Sequence, residues 1–249
     1  MRPLLSFFTV YPVSGYSLND AARASHLLPL VGLFTGSAGA LLLLLAFALP
    51  PSVAAVLALG GALLAAGFHH ADGVLDVGDA LMVHGDSARR RAVLKDARVG
   101  IGGLGALFLV YAPAAAALAA LAEVSPLRAA SVLIAGEVAS RSAMLLMMAF
   151  GRPAETTSSS TPFVSAISGP RRTAATALAL LAPLPFLLPA GAAGVFGAVC
   201  APLIAALGLH VSRRAFGGIG GDSVGATGEL TRMFLLLSLI HISEPTRPY

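Results

Sequence analysis

Three aspartates in the stretch HHADGVLDVGD, Asp72, Asp76 and Asp79, carry the most obvious chemistry in this chain. At about 100° per residue they fall at roughly 0°, 40° and 340°, within about 60° of one helix face. Like charges at that spacing destabilise a helix, so a bound cation is the simplest way to make the face favourable. An all-oxygen donor set suits Mg²⁺, which typically takes one or two carboxylates together with substrate phosphates. The competing reading is a solvated acidic face neutralised by Arg89, Arg90 and Arg91. His69, His70 and His84 lie nearby and imidazole would suit zinc, but no HExxH or other zinc spacing is present.

Two further stretches could act on phosphate. RRRAVLKDARVGIGG, from Arg89 to Gly103, joins basic side chains to a glycine-rich backbone, a combination suited to phosphate contact. Lys95, Asp96 and Arg98 stand out there, although topogenic charge accounts for most of the arginines. RRAFGGIGGDSVGATGEL places Asp222 and Glu229 seven residues apart, one face if helical, after glycines at 217, 218, 220 and 221 that permit close backbone approach. Glu137 and Arg141 sit four apart inside an apolar run, where an ionisable residue is costly and functional by default. Either they pair with each other, or Arg141 reaches a phosphate or an acid of the aspartate cluster.

The elements that must position these groups are membrane spans. The 249 residues are 57% hydrophobic and 11% charged, with mean hydropathy +0.84, whereas a soluble domain has about 25% charged residues. No Asp, Glu, Lys or Arg occurs from Ala24 to Phe68, Val99 to Ala122 or Thr173 to Ser212. With about 20 apolar residues per crossing, spans are expected near 29–49, 52–68, 102–122, 129–150, 174–190 and 193–209, with an incomplete one from about 230. The fold class is therefore all-α, a polytopic transmembrane bundle of six to seven spans. The N-terminal segment, interrupted by Pro12, lacks the apolar core of a cleavable signal. A single cysteine, Cys200, excludes a disulfide framework and a cysteine zinc site.

With the N-terminus in the cytoplasm, every Lys and Arg except Arg128, Arg141 and Arg247 falls in the cytoplasmic segments, Arg232 among them. The positive-inside rule selects this orientation. The net charge of +4 is then topological, and nucleic acid is not an expected partner. The same topology gathers Asp72, Asp76, Asp79, Asp86, Asp96, Asp222 and Glu229, of only 12 acids, at one membrane edge.

These residues resemble a known family. FFTVYPV is similar to the opening FFTR-x-PV segment of the cobalamin synthases, the adenosylcobinamide-GDP ribazoletransferases. HHADGVLDVGDAL resembles their H-x-DG-x-x-D-x-x-DG motif, LKDARVGIGG their MKDSR-x-G-x-x-G segment, and GGIGGDSVGATGEL their GG-x-TGD-x-x-GA-x-x-E ending. Four motifs in order cover the chain to about Leu237. Val10, Ala80, Ala97 and Gly220 depart from the pattern, replacing an Arg, a Gly, a Ser and a Thr.

The resemblance implies an integral-membrane transferase of the bacterial inner membrane with its active-site loops in the cytoplasm. It would join adenosylcobinamide-GDP to α-ribazole or its 5′-phosphate and release GMP. Asp72, Asp76, Asp79, Asp222 and Glu229 would serve Mg²⁺, with His70, Gly100, Gly217, Gly218 and Gly221 on the substrates. Lys95 or Arg98 would neutralise phosphate and Asp96 is the candidate base, with Arg141 added as a catalytic candidate from its place inside the span rather than from the resemblance. Oligomeric state stays open.

Two rivals remain. The CDP-alcohol phosphotransferases share a DG start, but would require Ala and Arg where Asp76 and Val77 stand. An ion-coupled transporter would place its charges at the bilayer midplane, yet Glu137 is the exception among acids that lie at one edge. The end of the chain, SLIHISEPTRPY, reads as translated adapter sequence, so residues 1–237 are expected to form one catalytic domain and 238–249 a non-native tail.

Overall fold

The computed structural model describes residues 1–188 and 192–240, and among them the regular structure is helical. Five helices are long and apolar enough to cross a membrane: Leu18–Phe47, Ile101–Val124, Pro126–Phe150, Gly194–Phe216 and Gly221–Ile240. A bent pair, Pro51–Ala65 with His69–Met82, makes a sixth crossing if counted as one span. The chain is thus a multi-pass helical membrane protein. In chain order the helices are α1 (Arg2–Phe8), α2 (Leu18–Ala24), α3 (Leu28–Leu43), α4 (Pro51–Ala65), α5 (His69–Met82), α6 (Ser87–Leu94) and α7 (Ile101–Val124). They continue with α8 (Pro126–Phe150), α9 (Thr161–Ala166), α10 (Pro170–Leu181), α11 (Leu184–Leu187), α12 (Ala192–Phe216) and α13 (Gly221–Ile240).

α8 is the central post. Its most apolar window is 94% buried, against 28% for α7, so α8 is surrounded by protein while α7 presents Leu104, Phe108 and Leu109 outward. α3, α13, α12, α10 and α7 all pack on α8. Without water to drive burial inside a bilayer, such packing rests on close contact and polar pairing between helices.

Three expected spans are corrected. Over its described residues the segment expected at 174–190 is not one continuous helix, because α10 stops at Leu181 and α11 begins at Leu184 after Pro183. The segment 52–68 ends at Ala65, where Gly67 (φ 67°) and Phe68 (φ 57°) turn the chain by 96° into α5. A left-handed Phe costs about 1–3 kcal/mol, so the surrounding packing must hold this corner. The final span begins not near 230 but at Gly221, so α13 carries Asp222 in its first turn. Of the tail expected to be non-native, 238–240 continue α13, and 241–249 lie outside the described residues. Arg232, expected with the cytoplasmic cations, is buried in the middle of α13.

Candidate active site

α5 is helical despite its two glycines, and those glycines set its position. A side chain on Gly73 would lie 2.6 Å from the main-chain oxygen of Asp222, and one on Gly78 would lie 2.5 Å from the Ala106 side chain. Hydrogen at these two positions lets α5 rest directly on α13 and α7. The acidic face of α5 is thereby brought up to the first turn of α13. Asp76 feels the negative charge of Asp72, Asp222 and Asp79, and Asp222 that of Asp72.

The four carboxylates are used differently. Asp79 accepts the Gly100 N–H at 2.7 Å and the Gly103 N–H at 2.8 Å, so it caps α7. Gly100, expected on the substrate, gives its N–H to that cap. Among the described residues, Asp72, Asp76 and Asp222 make no ion pair and no side-chain hydrogen bond. Among those residues no three His, Cys, Asp or Glu groups are placed so that they could hold a metal ion by themselves, so substrate phosphate would have to complete any site. Mg²⁺ is the cation whose chemistry suits such a donor set, since it takes one or two carboxylates and keeps positions for water and phosphate.

The neighbouring cations are committed to other acids. Lys95 Nζ lies 2.8 Å from Glu155 Oε2 and Arg91 Nε 3.2 Å from Oε1. Lys95 foremost, and then Arg91, hold the Glu155 carboxyl below its ordinary range. Arg98 grips Asp96 at 2.6 Å and 3.0 Å, and these hydrogen bonds bring the Asp96 carboxyl down to about 2. Such a group is a weak proton acceptor. Glu155 was not singled out in the sequence; its signal was an acid in the polar run GRPAETTSSS between two apolar segments. That run is tied to the segment before α13, with Ala154 N–H donating to the Ile219 carbonyl (2.9 Å) and Ile219 N–H to that of Arg152 (2.8 Å). Gly218 packs against Arg152 and Ala154, and Gly217, at φ 79°, turns the chain out of α12. These two glycines shape the loop, whereas Gly221 lies on the cavity walls.

Two cavities meet at α13. One of about 230 Å³ is lined by Arg91, Lys95, Glu155, Ser159, Gly221 and Asp222. The other, of about 260 Å³, shares Ser159, Gly221 and Asp222 and is otherwise lined by residues that include Phe7, Phe8, Phe163 and His70. Asp222 therefore faces a space lined by charges of both signs and an aromatic one.

Below the cavities lies a buried charge network. Glu137 accepts from Thr35 Oγ1 at 2.6 Å and Arg232 Nη1 at 2.6 Å, and Arg141 Nη1 lies 3.1 Å away. Arg232 also pairs with Glu229, which accepts the Tyr111 hydroxyl at 3.1 Å. The His70 Nδ1 is 3.9 Å from Glu229 Oε1, both buried without a hydrogen-bond partner. Two acids and two guanidinium groups thus balance inside the bundle. Arg141 is held by Glu137 and Ser140 rather than by the aspartate face, and Glu229 sits inside the network, two turns of α13 below Asp222. Arg232 and Tyr111 were missed by sequence reading, although an Arg three residues after Glu229 was a visible signal.

Fold and site together define a multi-pass membrane protein with an uncompensated carboxylate cluster beside a polar cavity at one end of its bundle. The family model described as cobalamin-5-phosphate synthase matches residues 1–240, and the chain belongs to that family. It is 36% identical to the adenosylcobinamide-GDP ribazoletransferase of Halorubrum lacusprofundi, over 95% of this chain and 94% of the relative. Identity to the protein of that name from Azorhizobium caulinodans is 33%, over 97% and 95%. For that of Methanococcoides burtonii it is 31%, over 96% and 90%. No solved structure matches the chain.

Proposed function

We propose that this protein is an adenosylcobinamide-GDP ribazoletransferase. It transfers the cobinamide-phosphate moiety to α-ribazole or its 5′-phosphate, releasing GMP and forming adenosylcobalamin or its phosphate. The observation that carries this reading is the set of carboxylates without partners, Asp72, Asp76 and Asp222, beside a cavity whose cations are Arg91 and Lys95. Family membership and the names of the relatives support it.

Asp72, Asp76 and Asp222 are the residues that would hold Mg²⁺. The ion would neutralise charge on the pyrophosphate and on the departing GMP. Lys95 and Arg91 exchange Glu155 for substrate phosphate, the more highly charged acceptor. A ribose hydroxyl attacks the phosphorus that stays with cobinamide, the bond to the GMP oxygen breaks, and the hydroxyl proton leaves to a carboxylate. Asp96, held at about 2 by Arg98, is a poor candidate for that proton, which moves the role to whichever of Asp72, Asp76 and Asp222 does not hold the ion. The acid-bearing end carries Arg89–Arg91, Arg152, Arg213 and Arg214, so the positive-inside rule turns it to the cytoplasm of the cell's inner membrane.

The test is GMP release from adenosylcobinamide-GDP by the purified protein in lipid, with and without α-ribazole and Mg²⁺. Release that needs both supports the proposal; release indifferent to α-ribazole overturns it.

A further inference from the structure

The charged cavity has a role in the reaction above, whereas the aromatic one has none. Its walls come from five helices: Phe7 and Phe8 of α1, His70 of α5, Met148 of α8, Phe163 of α9 and Asp222 of α13. The Phe8 and Phe163 rings stand edge-on with centroids 5.8 Å apart, Phe7 lies 5.6 Å from Phe163, and Phe8 lies 6.1 Å from the His70 ring. Phe8 and Phe163 are buried and fixed by packing, while Phe7 is 40% exposed.

We infer that this aromatic cavity is the subsite for the base of the acceptor nucleoside, a flat benzimidazole-type heterocycle with few hydrogen-bonding edges. The inference rests on the transferase reading above and adds to it where the acceptor sits. Size is the first argument. At about 260 Å³ the space falls just below the ~300–1,000 Å³ typical of drug-sized ligands, which suits one ring system and excludes a corrinoid macrocycle.

Polarity separates the remaining flat groups. Guanine carries donors and acceptors around its edge; His69, His70, Ser159, Ser160 and Asp222 can meet some of them, but those turned to the Phe and Met walls would be buried unpaired. A glycosylated alkylbenzimidazole keeps one free ring nitrogen, which a single neighbour such as His69 or Ser159 can satisfy. Its faces gain from stacking on the phenylalanine rings and its edge from the thioethers of Met144 and Met148.

Position completes the argument. The wall formed by Ser159, Gly221 and Asp222 is common to both cavities. A ribose attached to a base held in the aromatic cavity is directed across that wall, towards the phosphate cations of the other.

The test is steady-state GMP release by wild type, Phe7→Ala and Phe163→Leu in lipid, varying α-ribazole and adenosylcobinamide-GDP separately. Equilibrium binding of α-ribazole alone is measured alongside. Loss of one stacking face should raise KM and Kd for α-ribazole about tenfold in either variant, with KM for adenosylcobinamide-GDP unchanged. A rise confined to the KM for adenosylcobinamide-GDP assigns the cavity to guanine or the corrinoid and overturns the inference. Unchanged values for both substrates, as expected of a lipid-filled cavity, overturn it too. Should Phe163→Leu fail to fold, the half-exposed Phe7→Ala decides alone. If wild type releases no GMP, the transferase reading fails, and the binding of α-ribazole alone still judges the subsite.

Discussion

Glu137→Gln should destabilise the bundle more than any comparable change at the acidic edge. The Glu137 carboxylate is the anion between two interior guanidinium groups, accepting from Arg232 at 2.6 Å with Arg141 at 3.1 Å. The substitution keeps shape and the Thr35 hydrogen bond but removes the charge, leaving two cations and one acid, Glu229, inside the helices. An uncompensated Arg at the centre of a membrane helix costs about 2.5–3.5 kcal/mol, and breaking a buried pair about 3–5 kcal/mol. Taking about 3 kcal/mol, and about 2–4 °C per kcal/mol for a chain of this size, Tm in detergent should fall by about 6–12 °C. Adding Arg141→Met restores a one-to-one balance of Arg232 with Glu229 and should recover much of the loss, a coupling that a double-mutant cycle measures. A Tm for Glu137→Gln equal to wild type, or a double variant as unstable as the two single losses added, would refute the charge-balance argument.

Two predictions concern the α5 acids and have opposite signs. Asp76→Asn removes a charge crowded by Asp72, Asp222 and Asp79, so Tm should hold or rise while GMP release falls about a hundredfold, the scale of losing one group from a charge-stabilising site. Undiminished turnover at low Mg²⁺ would count against the metal role. Asp79→Ala deletes the acceptor for the Gly100 and Gly103 N–H groups, a cap worth about 1 kcal/mol, so Tm should drop by about 2–4 °C. An unchanged Tm with activity lost as fully as in Asp76→Asn would show that Asp79 serves the reaction rather than α7.

Much of the site was legible because the relevant signals are local. The 3.6-residue period put Asp72, Asp76 and Asp79 on one face, and the i, i+4 spacing paired Glu137 with Arg141, as the helices show. Span number was less legible, because hydropathy measures how apolar a segment is and not whether it stays straight. The runs ending at Phe68 and covering 174–190 both satisfy an apolar threshold, yet Gly67 with Phe68 and Pro183 break them. Arg232 was misplaced for a related reason: a charge near an apolar run reads as a boundary until its partners are known, and Glu137 lies 95 residues away. The division of labour among the acids was likewise invisible, since only the packing of α5 on α7 brings the Asp79 carboxylate to two main-chain N–H groups.

That packing also explains how a chain with so few charges keeps three carboxylates unpaired. The cations closest to the site are occupied: Arg91 and Lys95 by Glu155, and Arg98 by Asp96. Arg141 and Arg232 are neutralised below it by Glu137 and Glu229. Quenching of Asp72, Asp76 or Asp222 by any of them would require breaking a pair elsewhere. The Glu155 pairs lie near the surface, where ion pairs are weak, so in the proposed reaction a phosphate with more charge than one carboxylate would displace Glu155 and take Lys95 and Arg91. The interior pairs have no such competitor. The same kind of interaction, salt bridges between Arg or Lys and Glu, is thus sealed inside the bundle and open to solvent at the cavity, and on the proposed reading only the open ones exchange.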